Sequence, residues 1–371
     1  MDTIAYVVGA RPNFVKMAPV ERALRRRLPA WRHLRIDTGQ HYDREMSGIF
    51  EAELGIGPPE YRLGVGSGPH GAQTGRALER IEAALVRERP VLVLVPGDVN
   101  STLAGALAAA KLGIRVGHVE AGLRSFDRSM PEELNRVLVD HLADWCYVHS
   151  PEAVVNLLRE GIAEERIVFT GNTMIDTLVR MQPRVARSRV LADLGLEPGR
   201  YLLVTLHRPA LVDGPLLADA VERLDALAQV LPVVFPLHPR TRARLRALPQ
   251  SGRLRLVDPL GYIDFLALET HARAVLTDSG GVQEETTFLG VPCFTLRDST
   301  ERPVTLSEGT NLLLGLDPEA IDRLPELIAT APRPLRPPHG WDGKAAERLA
   351  DSVAAALAPG VPALAGAGVH G

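Results

Sequence analysis

The chain is poor in cysteine, and its few thiols show no disulfide or metal-binding pattern. Only Cys146 and Cys293 occur among 371 residues, and both lie in apolar, strand-like stretches. Neither a CxxC nor an HExxH spacing is present, so the common zinc-site patterns are missing. Two isolated thiols of this kind are expected to be buried and reduced, which is typical of proteins in a reducing compartment.

Long apolar runs and a secretion signal are also lacking. No apolar stretch approaches the ~18 residues that a membrane-spanning helix requires. The N-terminal sequence MDTIAYVVGARP has no basic region before its short apolar run, which indicates a first strand rather than a signal peptide. We therefore expect a soluble, cytoplasmic protein.

Charge of one sign is not concentrated anywhere. The net charge is −3 and no basic stripe occurs, which argues against nucleic-acid binding. Lysine occurs only at Lys16, Lys111 and Lys344, while arginine supplies almost every other basic position. High-GC coding explains this bias. Each remaining lysine is still of interest, because arginine does not replace a compact ammonium in a tight site.

The chain does contain alternating strand and helix patterns, arranged in two series. A length of 371 residues suggests about two domains, and continuous apolar runs are typical of parallel strands that are covered on both faces. The pattern predicts an α/β fold, with two Rossmann-like domains whose parallel sheets face an interdomain cleft. The predicted strands are Ile4–Val8, Leu34–Asp37, Val91–Val95, Val116–Val119, Trp145–Val148, Ile167–Phe169, Leu202–Leu206, Val233–Phe235, Leu254–Val257 and Ala274–Leu276. The predicted boundaries are 1–178 for the N-terminal domain, 179–200 for a linker and 201–341 for the C-terminal domain, with a loose tail over 358–371.

The strongest local signal is the segment TDSGGVQEETTFLGVPCFTLRDSTER, which begins at Thr277. Two glycines, Gly280 and Gly281, lie between a predicted strand and a predicted helix, where they allow the backbone to come close to an anion. Glu284 and Glu285 lie one turn into that helix, within reach of sugar hydroxyls. The segment predicts a nucleotide-diphosphate pocket, although a lone Ser-Gly-Gly is more often an ordinary strand–turn–helix junction.

Polar side chains follow the predicted strands in both halves, at the ends where open α/β sheets bind ligands. Each has an alternative explanation: Asp98 suits a turn or a cap, and Glu132 and Glu133 suit the first turn of a helix after Pro131. Their concentration at strand ends favours a site. The residues are Arg11, Lys16, Asp98, Glu120, His207, Arg208, His238 and Ser279–Gly281, with Phe265 just before a strand.

Many ordered motifs carry a family resemblance. They are GARP from Gly9, KMAP from Lys16, TGQH from Thr38, Gly97-Asp98, HVEAGLRS from His118, PEELNR from Pro131, GNTMIDTL from Gly171, His207-Arg208, TDSGGVQEE from Thr277 and TERP from Thr300. From about residue 4 to about residue 355, the chain resembles the non-hydrolysing UDP-N-acetylglucosamine 2-epimerases. The resemblance implies the two-domain GT-B fold, with a last helix over 342–357 that returns to the N-terminal domain.

The resemblance implies an epimerisation at C2 of a UDP-linked N-acetylhexosamine. UDP leaves C1 as a carboxylate takes the C2 proton, a glycal forms, and UDP adds back after protonation from the other face. This scheme needs acid–base groups on both faces and an anion-binding pocket, but no cofactor and no metal. By resemblance, the catalytic candidates are Asp98, Glu120, Glu132 and His207, and the UDP-binding candidates are Arg11, Lys16, Phe265, Ser279, Gly280, Gly281, Glu285 and Arg302.

Relatives in bacteria bind a second UDP-N-acetylglucosamine as an activator. The corresponding candidates here are Gln40, His41, Arg208 and His238. The loop Pro209–Asp213 departs from the family pattern, with Leu211 where many relatives carry polar residues, so we expect weak or absent activation. We also expect a homodimer.

Three functions remain open from the sequence. The first is the UDP-N-acetylglucosamine 2-epimerase, and the second is a relative that acts on another UDP-2-acetamido sugar, such as a diacetamido uronic acid. The third is a non-catalytic UDP-sugar-binding protein, against which the retention of Asp98, Glu120 and Glu132 argues. A GT-B glycosyltransferase is a weaker alternative, because the three acids match the epimerases specifically.

Overall fold

The chain divides into two compact units in the computed structural model. Unit 1 comprises residues 1–177 together with the segment from His339 onward, and unit 2 comprises residues 178–338. The structure describes residues 1–40, 44–237, 239–245, 254–331 and 336–358. Both cysteines are buried free thiols, and no helix in these ranges combines the length and apolar character needed to cross a bilayer.

Unit 1 is built on a seven-stranded sheet in which every strand pairing is parallel, in the order β3-β2-β1-β4-β5-β6-β7. All six residues of the first strand are buried, as expected for a strand with helices on both faces. The strands are β1 (Thr3–Val8), β2 (Arg32–Asp37), β3 (Tyr61–Arg62), β4 (Leu92–Pro96), β5 (Arg115–Val119), β6 (Trp145–Val148) and β7 (Ile167–Phe169).

Helices connect successive strands of unit 1, which is the arrangement that parallel pairing requires. One alanine-rich helix packs closely on the sheet, because a Cβ on its Gly105 would lie 3.1 Å from side-chain carbons of Val7 and Val95. The helices are α1 (Arg11–Arg27), α2 (Arg44–Leu54), α3 (His70–Glu88), α4 (Asn100–Lys111), α5 (Pro131–Leu142), α6 (Pro151–Arg159), α7 (Thr173–Val185), which continues into unit 2, and the C-terminal α16 (Ala345–Ala356).

Unit 2 has a second parallel sheet of six strands, in the order β10-β9-β8-β11-β12-β13. Its strands are β8 (Leu202–Thr205), β9 (Val233–Pro236), β10 (Arg255–Val257), β11 (Ala274–Thr277), β12 (Cys293–Thr295) and β13 (Asn311–Leu313). Its helices are α8 (Val190–Asp193), α9 (Pro209–Val212), α10 (Leu216–Leu227), α11 (Pro239–Leu245), α12 (Tyr262–His271), α13 (Gly280–Leu289), α14 (Val304–Ser307) and α15 (Leu324–Thr330).

Each unit buries an apolar core of its own around its sheet. The predicted strands are all present, whereas β3, β12 and β13 were not predicted. The predicted linker 179–200 contains the end of α7 and the short α8, and the predicted last helix is α16. From residue 359 onward the predicted tail lies outside the described residues.

Candidate active site

The order of strands in each sheet reverses at one point, and several predicted site residues follow the strands at that point. In unit 1, β1 and β4 are neighbours although they are not consecutive, and in unit 2 the same is true of β8 and β11. A crevice opens at the carboxyl ends of the strands at such a switch point, and it is the usual ligand site of doubly wound sheets. The motifs after β1, β4, β8 and β11 therefore lie where a ligand would bind.

A buried ion pair occupies the unit 1 site. The Lys16 ammonium on α1 donates to the Glu120 carboxylate that follows β5, and both side chains are more than nine-tenths buried. These two residues line a small cavity with His149 and the segment 170–173. A buried lysine–carboxylate pair next to a cavity keeps Glu120 a candidate acid–base group.

The backbone at Glu120 is unusual. Its φ of +72° places a non-glycine residue in the left-handed region, which costs free energy and is concentrated at functional sites. The amides of Glu120 and Ala121 both donate to the Tyr147 carbonyl at 3.0 Å, and these bonds hold the conformation. The strained turn directs the Glu120 carboxylate towards Lys16.

Gly97 brings the backbone close to this pair. Its φ is +65°, and a Cβ at this position would lie 3.2 Å from Lys16 Nζ and 3.4 Å from Glu120 Oε2. Any side chain would therefore crowd the ion pair as well as strain the backbone. Asp98 follows Gly97 directly in the chain.

Asp98 is held by the first turns of α5. The Arg136 guanidinium donates to its carboxylate, and Asn135 Nδ2 donates to its carbonyl oxygen at 2.9 Å. The Asp98 side chain nevertheless remains 24% exposed, which leaves part of the carboxylate open to a ligand.

The two adjacent glutamates of α5 have different surroundings. Glu133 is buried, and it accepts hydrogen bonds from the amides of Ser125 and Phe126 at 2.9 and 3.0 Å and from Arg136 at 2.6 Å. These contacts indicate that Glu133 stabilises the loop that contains Ser125 and Phe126. Glu132 is only half-buried, so it is the member of the pair that remains available as the predicted acid–base group.

Two further predicted residues lie near the start of α1 and α4. Arg11 begins α1, and its guanidinium lies 5.7 Å from the centre of the Phe50 ring. Gln40, a candidate for the activator site, is buried and accepts hydrogen bonds from the Ser101 hydroxyl and amide at 2.8 and 3.2 Å. Gln40 thus serves the N-terminus of α4. The other candidates His41 and His238 lie outside the described residues.

In unit 2 the predicted anion site is the start of α13. Ser279 precedes the helix and Gly280 is its first residue, so the unbonded amides of the first turn and the positive end of the helix dipole lie at the end of β11. A Cβ on Gly280 would lie 2.4 Å from Arg302 Nη1. A side chain at this position would have to displace the Arg302 guanidinium, which packs against the start of the helix.

An acidic residue that the sequence analysis missed orients His207. Asp278 Oδ2 accepts from the amides of His207 and Arg208 at 2.8 and 2.7 Å, and its Oδ1 lies 3.0 Å from His207 Nδ1. Burial alone would raise the pKa of Asp278, but the His207 charge and these hydrogen bonds outweigh it and lower that pKa. The His207 ring is 42% exposed, so it can reach a ligand.

Three arginines converge near this turn and share one buried acid. Glu301 accepts from Arg297 at 2.7 and 3.0 Å and from Arg302 at 3.2 Å, and Arg208 lies 3.7 Å away. Burial opposes ionisation of Glu301, but the Arg297 hydrogen bond and the arginine charges lower its pKa well below the usual value. Arg302 also pairs with the buried Glu284 at 3.1 Å. The result is a fixed cluster of guanidinium groups suited to phosphate.

The predicted ribose ligand, Glu285, is buried on α13 and lies in a cluster of its own. Tyr262 donates to its carboxylate at 2.8 Å, and the buried carboxyl of Glu269 on α12 interacts with it electrostatically. Burial raises the pKa values of both carboxyls, and the Glu285 charge adds to the increase for Glu269. Phe265 lies half-buried on the same helix as Tyr262.

The altered loop after Arg208 forms the short helix α9, and its Leu211 side chain is fully buried in the core of unit 2. This leucine therefore does not itself present a surface to an activator.

Comparisons with known proteins identify the family of the chain. The sequence profile of the UDP-N-acetylglucosamine 2-epimerase family matches residues 23–354. The chain belongs to this family. It is therefore an epimerase, as the motifs predicted.

Individual relatives cover most of the chain. The UDP-N-acetylglucosamine 2-epimerase of Methanocaldococcus jannaschii is 42% identical over 358 residues, which is 93% of this chain and 97% of the relative. The UDP-2,3-diacetamido-2,3-dideoxy-D-glucuronate 2-epimerase of Pseudomonas aeruginosa is also 42% identical, over 316 residues, 84% of this chain and 88% of the relative.

A solved structure confirms the fold. The M. jannaschii UDP-GlcNAc 2-epimerase in complex with UDP-GlcNAc and UDP superposes with a TM-score of 0.89 at 41% identity, covering 95% of this chain and 99% of that one. This confirms the predicted α/β fold class, in which two Rossmann-like units make up a GT-B protein.

Proposed function

We propose that this epimerase interconverts UDP-N-acetylglucosamine and UDP-N-acetylmannosamine without hydrolysis. The observation that carries the proposal is that each unit has a set of polar groups near the carboxyl ends of its strands. In unit 1 these are three carboxylates: Asp98 after β4, Glu120 after β5 and Glu132 in the first turn of α5. In unit 2 they are the N-terminus of α13, which follows β11, and the guanidinium groups around it. One set suits proton transfer, and the other suits a diphosphate leaving group.

The reaction proceeds by elimination and re-addition. A carboxylate takes the C2 hydrogen as a proton, the electrons of that bond form the C1–C2 double bond, and the C1–O bond breaks to release UDP. A proton is then delivered to C2 from the opposite face while a UDP oxygen bonds to C1. Atoms and electrons balance without an external oxidant, so the sugar leaves with only its C2 configuration changed.

Asp98, Glu120 and Glu132 supply the acid and base in this scheme. The Glu120 carboxylate accepts from the adjacent Lys16 ammonium, and Asp98 retains a partly exposed carboxylate beside its arginine partner. Proton-transfer groups of this kind contribute typically ~10²–10⁴-fold to a rate.

The leaving group is held by unit 2. The first-turn amides of α13, Arg302 and His207 bind the diphosphate, because together they offer cationic donors and a helix dipole at one place. Glu285 accepts from the ribose hydroxyls, with its carboxylate oriented by Tyr262. Phe265 covers the uracil, and Arg11 and Lys16 add positive charge.

A second candidate substrate is a UDP-linked diacetamido uronic acid. The specific observation that favours it is the 42% identity to the P. aeruginosa diacetamidoglucuronate 2-epimerase. The chemistry at C2 is the same for both substrates, so the candidate acids keep their roles.

A substrate panel tests the proposal. Purified enzyme is given UDP-N-acetylglucosamine or the UDP-diacetamido uronic acid, and product formation is followed by NMR, with UDP binding measured by calorimetry in parallel. We expect epimerisation of UDP-N-acetylglucosamine. Turnover of the uronic acid alone would select the second candidate, and UDP binding without turnover of either sugar would contradict both.

A further inference from the structure

A fully buried histidine in β5 has an unusual set of hydrogen-bond partners. His118 is 0% exposed. Its Nε2 lies 2.7 Å from the carbonyl oxygen of Gly97, and its Nδ1 lies 2.6 Å from Asp140 Oδ1 on α5. A carbonyl oxygen has no hydrogen to give, so Nε2 must be the donor in the first bond.

The partner at the second nitrogen is an ionised carboxylate. Asp140 Oδ2 accepts from Arg124 Nη1 at 2.7 Å and from the Gly122 amide at 3.1 Å, so three donors surround its two oxygens. Burial opposes ionisation of Asp140, but the charges and hydrogen bonds of His118 and Arg124 outweigh burial and lower its pKa. The hydrogen between the pair therefore belongs to His118 Nδ1.

The charges of the surrounding side chains agree with a protonated His118 ring. Arg124 also pairs with Glu160 at 2.5 Å, so the cluster contains two cations, His118 and Arg124, and two anions, Asp140 and Glu160. The Cys146 thiol and the Arg166 guanidinium contact Asp140 at its backbone carbonyl, and Arg166 also donates to the carbonyls of His141 and Ala143. Burial and, to a smaller extent, the Asp140 charge raise the pKa of the Cys146 thiol. The thiol therefore stays neutral beside the cluster.

We propose that His118 is a buried imidazolium that positions the Gly97–Asp98 turn for catalysis. The Gly97 peptide is fixed from both sides, because its amide donates to the Val119 carbonyl at 2.9 Å and its carbonyl accepts from His118. Asp98 is the next residue and Glu120 lies two positions after His118 in the chain. The assignment deepens the proposed function and rests on it, since positioning matters only if Asp98 and Glu120 transfer protons.

A cation is better suited to this task than a neutral ring. A charged donor makes a stronger hydrogen bond to the Gly97 carbonyl than a neutral one does. Its buried partner Asp140 anchors the ring to α5, the same helix whose Arg136 holds the Asp98 side chain. One helix thus fixes both the backbone and the carboxylate of the candidate acid, and catalytic geometry is sensitive to displacements of ~1 Å.

The protonation state is tested first, without any reference to activity. Nitrogen-15 NMR of histidine-labelled enzyme at pH 8 distinguishes doubly from singly protonated rings. We expect one doubly protonated, slowly exchanging ring that disappears in His118→Asn. His33 is an internal comparison, since it is also buried and burial lowers its pKa, so its ring should be neutral. A spectrum with only singly protonated rings at pH 8 would overturn the imidazolium, even if no variant folded.

Two matched variants then test positioning. In His118→Asn the amide nitrogen takes the place of Nδ1 and the bond to Gly97 is lost, whereas in His118→Gln it takes the place of Nε2 and can keep that bond. We expect kcat to fall by ~10-fold or more in His118→Asn, with KM and UDP affinity little changed, and to fall less in His118→Gln.

The control is His33→Gln, which removes another buried histidine of the same sheet. His33 is hydrogen-bonded to Tyr6 at 2.6 Å, and it is the second residue of β2, so it lies at the opposite end of the sheet from the strand carboxyl ends. The His33→Gln substitution should lower thermal stability and leave kcat near the wild-type value. If His118→Asn kept the kcat of this control, positioning would be refuted. A wild-type enzyme without epimerase activity would instead refute the proposed function, and the NMR result would still stand.

Discussion

Adjacent glutamates at the start of α5 allow a sharp test of the acid–base assignment. We expect Glu132→Gln to lower turnover by at least ~100-fold, the usual scale for the loss of an acid–base group, with UDP affinity unchanged in calorimetry. Asp98→Asn and Glu120→Gln should behave in the same way. Near-wild-type turnover in all three variants would show that the acids are wrongly assigned.

The matched control is Glu133→Gln, one residue further along. The change removes a buried charge that accepts from two loop amides and Arg136. It should lower the free energy of unfolding by about 1–3 kcal/mol, measured by urea denaturation. A stability loss at Glu132 instead of Glu133 would reverse the roles that the structure indicates.

A substitution at Gly280 tests the proposed diphosphate site. A Cβ there would meet Arg302 Nη1 at 2.4 Å and Cζ at 2.8 Å, so Gly280→Ala should displace the guanidinium and weaken UDP binding. Ser279→Ala removes a hydroxyl without adding bulk, and it should weaken binding less. Calorimetry with UDP measures both, and unchanged affinity in the two variants would move the diphosphate elsewhere.

Among the helices, the N-terminus of α16 is capped by a side chain from α7. Asp176 accepts from the amides of Ala345 and Ala346 at 3.0 and 2.7 Å. Burial raises the Asp176 pKa to about 6, although these amides act in the opposite direction. Asp176→Ala should lower the free energy of unfolding by about 1–2 kcal/mol, as expected for a lost cap.

Asp176→Asn is the control for this cap, because one amide oxygen can still accept. Asp176→Asn should lower the free energy of unfolding, measured by chemical denaturation, by less than Asp176→Ala does. Equal losses in the two variants would mean that burial of the side chain matters and capping does not.

The contact between α12 and α13 gives a pH-dependent prediction. Because Glu269 has a folded-state pKa well above its unfolded value, the folded chain retains a proton that the unfolded chain releases. Its contribution to stability is therefore present below the unfolded pKa of about 4.3 and is lost as pH rises. Glu269→Gln does not titrate, so its melting temperature relative to wild type should increase between pH 5 and pH 8.

An exposed residue provides the control for that titration. Glu308 lies on the surface of unit 2, and Glu308→Gln should leave the melting temperature equal to wild type at both pH values. A Glu269→Gln variant that shifted the melting temperature equally at pH 5 and pH 8 would contradict the protonated state of Glu269.

For the whole molecule, the sequence predicted the parallel strands that lie buried on both faces, because their apolar runs are continuous. The strands β3, β12 and β13, each of two or three residues, escaped prediction, although β7 and β10, with three residues each, were predicted. Position in the sheet does not separate the two groups, because β7 and β10 are edge strands and β12 lies between β11 and β13.

Within the site, the sequence located the residues that follow the strands but not the partners that orient them. Asp278 meets the His207 amide across 71 positions of sequence, and Arg136 meets Asp98 across 38. No local spacing connects such pairs. Asp278 did carry a signal, because it is the last residue before Ser279 and so lies at a strand end, whereas the His118–Asp140 pair had none.

In the proposed reaction, unit 1 carboxylates exchange the C2 hydrogen of a UDP-linked N-acetylhexosamine with solvent. The most direct test is incubation with UDP-N-acetylglucosamine in deuterated water, followed by NMR of the sugar ring. We predict UDP-N-acetylmannosamine with deuterium at C2, and the same label in the substrate pool at equilibrium. Epimerisation that retained the original hydrogen at C2, or no epimerisation at saturating substrate, would rule out this reaction.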